Sequence, residues 1–201
     1  MEKSNFVLIL LITLLLVALH EFDSTTMILF RYEKTILQTG EWWRLFSGHL
    51  IHLSYTHLIL NLVSLWILVF ALFPNEKTLK LLLYIFILAM GISFGLLIFS
   101  TDVAWYVGLS GVIHGLCVIG AISNFRRNSW IAILLIIGIS IKLLWEQFFA
   151  DSHAMETAIG GEIIYDAHLY GATTGALIIT LLKLIALLQH SHKKRLYNME
   201  P

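Results

Sequence analysis

Five long apolar windows constrain this 201-residue chain more than any other feature. Each is long enough to cross a bilayer core of about 30 Å as an α-helix, which takes about 17–25 residues. A shorter, glycine-containing apolar segment lies between the third and fourth windows. In chain order, the windows and this segment cover about Asn5–Phe22, His57–Phe73, Leu79–Phe99, Ser110–Asn124, Ser129–Ala150 and Ala167–Leu188. The sequence therefore predicts an all-α, polytopic membrane protein of six helices, with residues 1–201 forming a single domain.

The composition supports a membrane location and excludes some partners. Hydrophobic residues make up 58% of the chain and charged residues 13%, whereas a soluble domain is about 45–50% apolar and about 25% charged. A single core of this size cannot bury the excess, so much of the apolar surface must face the lipid bilayer. The formal net charge is zero, so no general positive field attracts nucleic acid, and we expect no nucleic-acid partner.

The N-terminus resembles a secretory signal peptide at first sight. Lys3 precedes an apolar run from Phe6 to Leu19, the order of a basic region and a hydrophobic region. The run ends in His20, Glu21 and further polar residues without a small-x-small cleavage site. We therefore expect this segment to be retained as the first membrane span.

Lys and Arg residues between the windows indicate how the chain crosses the membrane, because membrane proteins concentrate them in cytoplasmic loops. With the N-terminus inside, eight lie on the cytoplasmic side and three on the outer side. The cytoplasmic ones are Lys3, Lys77, Lys80, Arg126, Arg127, Lys193, Lys194 and Arg195, and the outer ones are Arg31, Lys34 and Arg44. We therefore expect both termini in the cytoplasm, including a short C-terminal tail over about residues 189–201.

The fourth apolar segment is too short to reach both membrane surfaces. Ser110 precedes Arg126 by sixteen residues, or roughly 24 Å of helix. A helix anchored by Arg126 at the inner surface therefore begins below the outer one. Non-helical backbone at that depth must line a cavity, because lipid cannot satisfy its polar groups. The sequence thus predicts a cavity that opens outward, walled by residues 105–109, with Ser110 at its floor.

A histidine of the last window lies at a similar predicted depth. Taken alone, Ser110 is explained as a helix N-cap, and His168 as a polar residue at the end of a span. His168 precedes Lys183 by fifteen residues, and a lysine can extend its ammonium group to the interface. If the helix ends at Gln189 instead, His168 lies roughly 9 Å higher.

Glycines at four-residue spacing predict that the helices of Ser110 and His168 approach each other closely. Gly111 and Gly115 follow the serine, and Gly171 and Gly175 follow the histidine. Such small-x-x-x-small faces let membrane helices approach each other with little separation. A crossing at these glycines would bring the imidazole within hydrogen-bonding distance of the hydroxyl.

A serine hydroxyl becomes a useful nucleophile when a base removes its proton, and histidine titrates in the right range. Asp166 lies two residues before His168 and therefore points elsewhere on a helix. We accordingly predict a Ser110–His168 dyad without a carboxylate. Lys142 and Glu146 are four residues apart on the fifth span, and we expect them to pair with each other.

Histidines cluster near the outer end of the second span, at His49, His52 and His57. Their spacings of 3 and 5 match no recognised zinc pattern, and no cysteine or carboxylate completes one. We expect no metal and no cofactor. His57 and Asn61 share one helical face, where their donors could stabilise an oxyanion. His114, one turn after Ser110, either lines the cavity or bonds to another helix.

These residues resemble the rhomboid family of intramembrane serine proteases. The matching motifs are Trp43-Arg44, His57-Leu-Ile-Leu-Asn61, Gly108-Leu-Ser110-Gly111 and Ala167-His168-Leu-Tyr-Gly171. The resemblance implies the six-helix rhomboid fold around a water-filled cavity, with the fifth helix and an outer loop as candidate substrate gate. It also implies Ser110 as nucleophile, His168 as base, and His57 and Asn61 as oxyanion donors. Gly108, His52 and His114 are further candidates to line the cavity.

Within this family, residues 108–116 and the Gly-His49…His52 pattern are most similar to rhombosortases. These are small bacterial rhomboids that process proteins with a C-terminal tail, which consists of a glycine-rich motif, one transmembrane helix and a basic cluster. The resemblance implies a multi-pass protein of the bacterial inner membrane whose active site opens to the periplasmic side. Its partners would be membrane-anchored substrates with a C-terminal transmembrane helix.

Three alternatives remain open on the sequence. The chain could be a rhomboid protease with other substrates. It could be a catalytically inactive rhomboid-like protein that binds membrane clients, although the serine and the histidine are both present. A small transporter or channel would require an inverted repeat or a polar path through the membrane. The sequence has no visible repeat, and its polar residues cluster on the outer side.

Overall fold

The computed structural model describes residues 3–149 and 153–197. Helices dominate this part of the chain. Two short strands form one ladder, which joins the segment after α2 to the segment before α7. The helices are α1 (Lys3–Glu21), α2 (Asp23–Phe30), α3 (Ile36–Thr39), α4 (Arg44–Ser47), α5 (Tyr55–Leu72), α6 (Thr78–Phe99), α7 (Ser110–Ser123), α8 (Ser129–Phe148), α9 (His153–Ile159) and α10 (Tyr165–Tyr197). The strands are β1 (Tyr32–Glu33) and β2 (Trp105–Tyr106), and a 3₁₀ helix covers Gly48–Leu50.

The predicted membrane architecture is confirmed. Within the described residues, α1, α5, α6, α8 and α10 are long and apolar enough to cross a membrane, and α7 is a shorter apolar helix. The chain is therefore a multi-pass membrane protein. The predicted end of the fourth window, Ala150, lies outside the described residues. The last helix continues beyond Gln189 as far as Tyr197, and residues 198–201 of the expected tail are outside the description.

Helix α7 forms the centre of the bundle because α5, α6, α8 and α10 all pack around it. Eight of its fourteen residues are buried, and the glycines among them are Gly111, Gly115 and Gly120. Helix α8 differs strongly from it. Among the twenty residues of α8, all of which are described, Ala132 alone is buried. The bundle thus has a tightly packed centre and one loosely attached helix.

The closest packing in the structure joins α7 to α10 through the predicted glycines. A Cβ atom built on Gly111 would lie 2.6 Å from the carbonyl oxygen of Ala167. One built on Gly175 would lie 2.5 Å from the Gly115 carbonyl oxygen, and one on Gly171 would overlap the Gly111 carbonyl oxygen even more closely. Real Cβ atoms cannot occupy these positions, so the two backbones are in direct contact.

The segment between α2 and α5, which we call the first loop, supports the chain that leads into α7. Arg44 is buried, and its guanidinium pairs with Glu41 at 3.0 Å and donates to the carbonyl oxygens of Ile28 and Arg31. These contacts close the loop on itself. Strand β1 of the same loop pairs antiparallel with β2, with Tyr32 opposite Tyr106. The loop therefore fixes the non-helical stretch before Ser110.

Substitution of Gly171 by valine tests the helix contact. We expect the variant to lose at least about 3 kcal/mol of unfolding free energy, because a branched side chain cannot fit between two backbones. The measurement is unfolding of the purified protein in detergent. Gly138→Ala is the matched control, since a Cβ at Gly138 meets nothing within 4 Å and alanine favours a helix. Equal stability of Gly171→Val and the wild type would contradict the crossing.

Candidate active site

A cavity of about 760 Å³ lies among α5, α7, α8, α9 and α10. It contains the predicted reactive residues from three of these helices, and a loop segment ending in β2 forms part of its wall. The predicted residues on its lining are His57, Asn61, Ser110, His114 and His168, whereas Gly108 and His52, which were also expected there, lie outside the lining. The structure thus brings together side chains that are up to 111 positions apart in the sequence.

Ser110 begins α7 directly after an unusual backbone turn at Gly108. The φ angle of Gly108 is +123°, which only glycine adopts easily. A Cβ at this position would also lie 2.8 Å from the Cε1 atom of His57. The turn is held by two hydrogen bonds, because the Tyr106 hydroxyl donates to the Gly108 carbonyl at 2.7 Å and Gly108 N–H donates to the Gly48 carbonyl at 3.1 Å.

The Ser110 hydroxyl and the His168 ring form the central contact of the site. Ser110 Oγ lies 2.9 Å from His168 Nε2, within the range required for proton transfer to a general base. His168 is buried in the first turns of α10. The contact is a direct consequence of the glycine crossing, because Ser110 and His168 each lie within three residues of it.

The structure differs from the prediction that no carboxylate contacts the histidine. Both carboxylate oxygens of Glu146 lie 3.1 Å from His168 Nδ1. Lys142 pairs with the same carboxylate, as expected. Asp166, the carboxylate closest in sequence, instead accepts a hydrogen bond from Ser100. The sequence did not predict this contact. Glu146 was expected to pair with Lys142 only, because the rotation of the otherwise apolar helix α8 depends on packing.

His114 lies beside the reacting pair and lines the cavity. Its ring stacks on the His168 ring with centroids 4.2 Å apart and planes inclined by 14°. His114 Nδ1 lies 2.7 Å from the carbonyl oxygen of Ser110. A carbonyl oxygen accepts only, so Nδ1 carries the proton. The hydrogen bond of His114 therefore lies within its own helix. Its Nε2 atom keeps a free lone pair, and the residue lines the cavity.

Three side chains of the site include atoms that could bind a metal ion. The ligand atoms of His114, Glu146 and His168 lie within 4.8 Å of one another. Metal ligands must direct their lone pairs to a common point at about 2 Å. The two imidazole rings are nearly parallel, so their in-plane lone pairs run side by side. In addition, both nitrogens of His168 already face hydrogen-bond partners. This arrangement suits proton transfer better than metal binding.

His57 and Asn61 place donors on the wall of the cavity near Ser110. Leu53 N–H donates to His57 Nδ1 at 3.3 Å, so neutral His57 carries its proton on Nε2. Asn61 Nδ2 donates one proton to the His57 carbonyl at 2.9 Å and retains a second N–H. Both residues line the cavity, where these two N–H groups can serve an oxyanion.

The other two histidines of the cluster lie behind this wall. The His52 ring packs edge-on against His57 with centroids 5.0 Å apart. The pKa of His52 is lowered to about 3, mainly by burial and to a smaller extent by the neighbouring His57. His49 Nε2 contacts Ser93 Oγ at 3.0 Å, and burial lowers the pKa of His49 to about 4. Both are neutral at physiological pH. His52 supports the position of His57, and neither of the two adds charge to the site.

Comparison with known proteins is consistent with this geometry. A family model described as Rhomboid domain matches residues 39–184. The matched range includes every residue that lines the cavity, from Leu53 to His168 in α10. A comparison with curated proteins gives no match.

Replacing Asn61 with alanine tests the donor pair. If the arrangement supports attack on a carbonyl group, kcat should fall on the order of 100- to 1000-fold with little change in KM, because the donors act on charge that develops in the transition state. His57→Ala should behave in the same way. Asn124→Ala is the control, since this asparagine donates to Leu72 and Gly120 carbonyls away from the cavity. An unchanged kcat for Asn61→Ala would remove Asn61 from this role.

Proposed function

The chain belongs to the rhomboid family of intramembrane proteases, and from this premise we propose that it is a serine endopeptidase that cleaves membrane-anchored proteins. The observation that carries the proposal is the 2.9 Å contact between Ser110 Oγ and His168 Nε2, and both residues line the cavity. A serine with a base in hydrogen-bonding distance is the arrangement required for nucleophilic catalysis.

In the proposed reaction, Ser110 Oγ attacks the scissile carbonyl carbon while His168 Nε2 takes the hydroxyl proton. The carbonyl oxygen becomes negative and accepts hydrogen bonds from His57 Nε2–H and Asn61 Nδ2–H. The C–N bond then breaks, and His168 returns the proton to the leaving amine. A second nucleophile, which reaches the ester through the cavity, gives up its proton to His168 and releases Ser110.

The packing of α8 supports access by a substrate helix from the side. An apolar groove of about 380 Å³ lies between α5 and α8, lined by residues such as Ile67, Leu68 and Leu135. It shares Ser64, Ile113, His114 and Lys142 with the main cavity. A transmembrane segment in the groove would therefore lie beside His114, one helical turn from Ser110. We infer cleavage near the outer end of such a segment.

The substrate class follows from the resemblance to rhombosortases. We infer that the substrates are secreted or surface proteins with a C-terminal sorting tail, which has a glycine-rich motif before its transmembrane helix. Glycine suits a recessed serine, because a backbone without side chains unwinds easily and approaches closely. The eight-to-three distribution of Lys and Arg supports cytoplasmic termini and an active site that faces the periplasm of a bacterial inner membrane.

A mutant cycle tests the proposed chemistry. Ser110→Ala, His168→Ala and the double variant should have nearly the same residual activity, because residues that act as one unit are not additive. The assay is cleavage of a purified fusion that contains a glycine-rich motif, a transmembrane helix and a basic cluster. All variants should elute as folded protein in detergent.

Two other outcomes would contradict the proposal in different ways. Full activity of Ser110→Ala would show that this serine is not the nucleophile, and absence of any turnover by the wild type on several membrane-anchored substrates would favour a client-binding protein. A matched fusion in which leucines replace the motif glycines tests the substrate class. Equal cleavage of the two fusions would favour a rhomboid protease with other substrates.

A further inference from the structure

We propose that Glu146 is a positioning residue of the reaction, which orients His168 and stabilises its charged form, so that the site operates as a Ser110–His168–Glu146 triad. The inference rests on the proposed function and deepens it. The observation behind it is the placement of both carboxylate oxygens at 3.1 Å from His168 Nδ1, on the opposite side of the ring from Ser110.

The first consequence concerns the tautomer of His168. A carboxylate only accepts hydrogen bonds, so the ring nitrogen that faces Glu146 must carry the proton. This leaves Nε2 unprotonated and directed at the Ser110 hydroxyl, which is the form a general base requires. Without Glu146, the ring is free to hold its proton on Nε2 and donate to Ser110 Oγ, which would prevent proton removal.

The second consequence concerns charge. When His168 accepts the serine proton, a positive charge appears in a site that is largely shielded from water. The side chains of His168 and Glu146 are 9% and 10% exposed, so their attraction is stronger than it would be between surface groups. The anion lies against the ring before the reaction begins, and no reorganisation is needed to stabilise the imidazolium.

Lys142 holds the carboxylate from the other side. It lies one turn before Glu146 on α8 and pairs with the same carboxylate, while about half of its side chain remains exposed. Two further carboxylates, Asp102 and Glu162, line the same cavity, but among the described residues Glu146 is the one in contact with the His168 ring. His114 from α7 stacks on the ring, Tyr165 of α10 lies 6.2 Å away, and His57 faces the same cavity from α5. Glu146 is therefore the anion that contacts His168 within the described part of the chain.

The loose packing of α8 makes this role accessible to mutagenesis. Leu144, Trp145 and Phe148, the neighbours of Glu146, are between 58% and 73% exposed. The Glu146 side chain itself is largely buried, but glutamine has nearly the same shape and leaves the packing of α8 in place. We expect Glu146→Gln to keep the unfolding temperature of the wild type, so that any loss of activity reflects the reaction and not the fold.

The experiment compares Glu146→Gln, Glu146→Ala and Glu146→Asp on the cleavable fusion. We expect kcat of the Gln variant to fall at least about 100-fold with little change in KM, because an amide can donate to Nδ1 and favour the unproductive tautomer. The Asp variant should retain more activity than the Gln variant. The acid limb of the kcat/KM profile should move to lower pH in Glu146→Gln, since the imidazolium has lost its anion.

Two controls separate this role from a structural one. Glu76→Gln breaks a similar i,i+4 pair with Lys80, 3.0 Å long and away from the cavity lining, and should leave kcat unchanged. Added formate should restore activity to Glu146→Ala with a saturable dependence, because it supplies a small carboxylate, and should have no effect on Ser110→Ala. Lys142→Met should lower kcat less than Glu146→Gln does.

The outcomes distinguish this inference from the proposed function. If Glu146→Gln keeps the kcat and the pH profile of the wild type while Ser110→Ala is inactive, Glu146 has no part in the reaction and the protease proposal stands. The inference also fails if Glu146→Ala is impaired but formate gives no recovery and the acid limb of the profile stays in place. If wild-type protein shows no Ser110-dependent cleavage, both proposals fall together.

Discussion

The contact between the backbones of α7 and α10 is the interaction on which the rest of the structure depends. Glycines on both helices bring the two main chains together with no side chain between them. Since apolar burial drives little helix association inside a membrane, such close packing is a principal source of stability there. The same crossing sets the distance between Ser110 and His168, so stability and chemistry have a common origin. A larger residue at Gly171 would separate the helices and the reacting pair together.

Polar groups inside the bilayer impose the second constraint. Unsatisfied backbone groups in lipid cost several kcal/mol each, yet the chain before Ser110 is not helical. The structure resolves this conflict by pairing β2 with β1 and by bonding Gly108 to Gly48 of the first loop. The buried Arg44 in turn closes that loop through carbonyl acceptors and Glu41. The segment between α2 and α5 thus maintains the geometry of the serine at the start of α7.

The sequence was sufficient for the helices and for part of the site. Apolar windows located the five long apolar helices and the shorter α7, because membrane thickness sets the length of such segments. The glycine spacing identified the faces of α7 and α10 that meet. The sequence could not predict Glu146 beside His168, because α8 is apolar on nearly every face and its rotation depends on packing. The pairing of β1 with β2 was also missed, since two residues per strand leave no alternation to detect. The position of His52 behind His57 depends on loop geometry that spacing does not determine.

The central claim is that His168 activates Ser110 for attack. The most direct measurement is the rate at which a serine-reactive phosphonate modifies the purified protein, with the modified residue identified by mass spectrometry. The account predicts that the wild type is labelled at Ser110 and that labelling of His168→Ala is slower by at least about 100-fold, the usual contribution of a general base. Labelling of another residue, or equal rates at Ser110 in the two proteins, would contradict it.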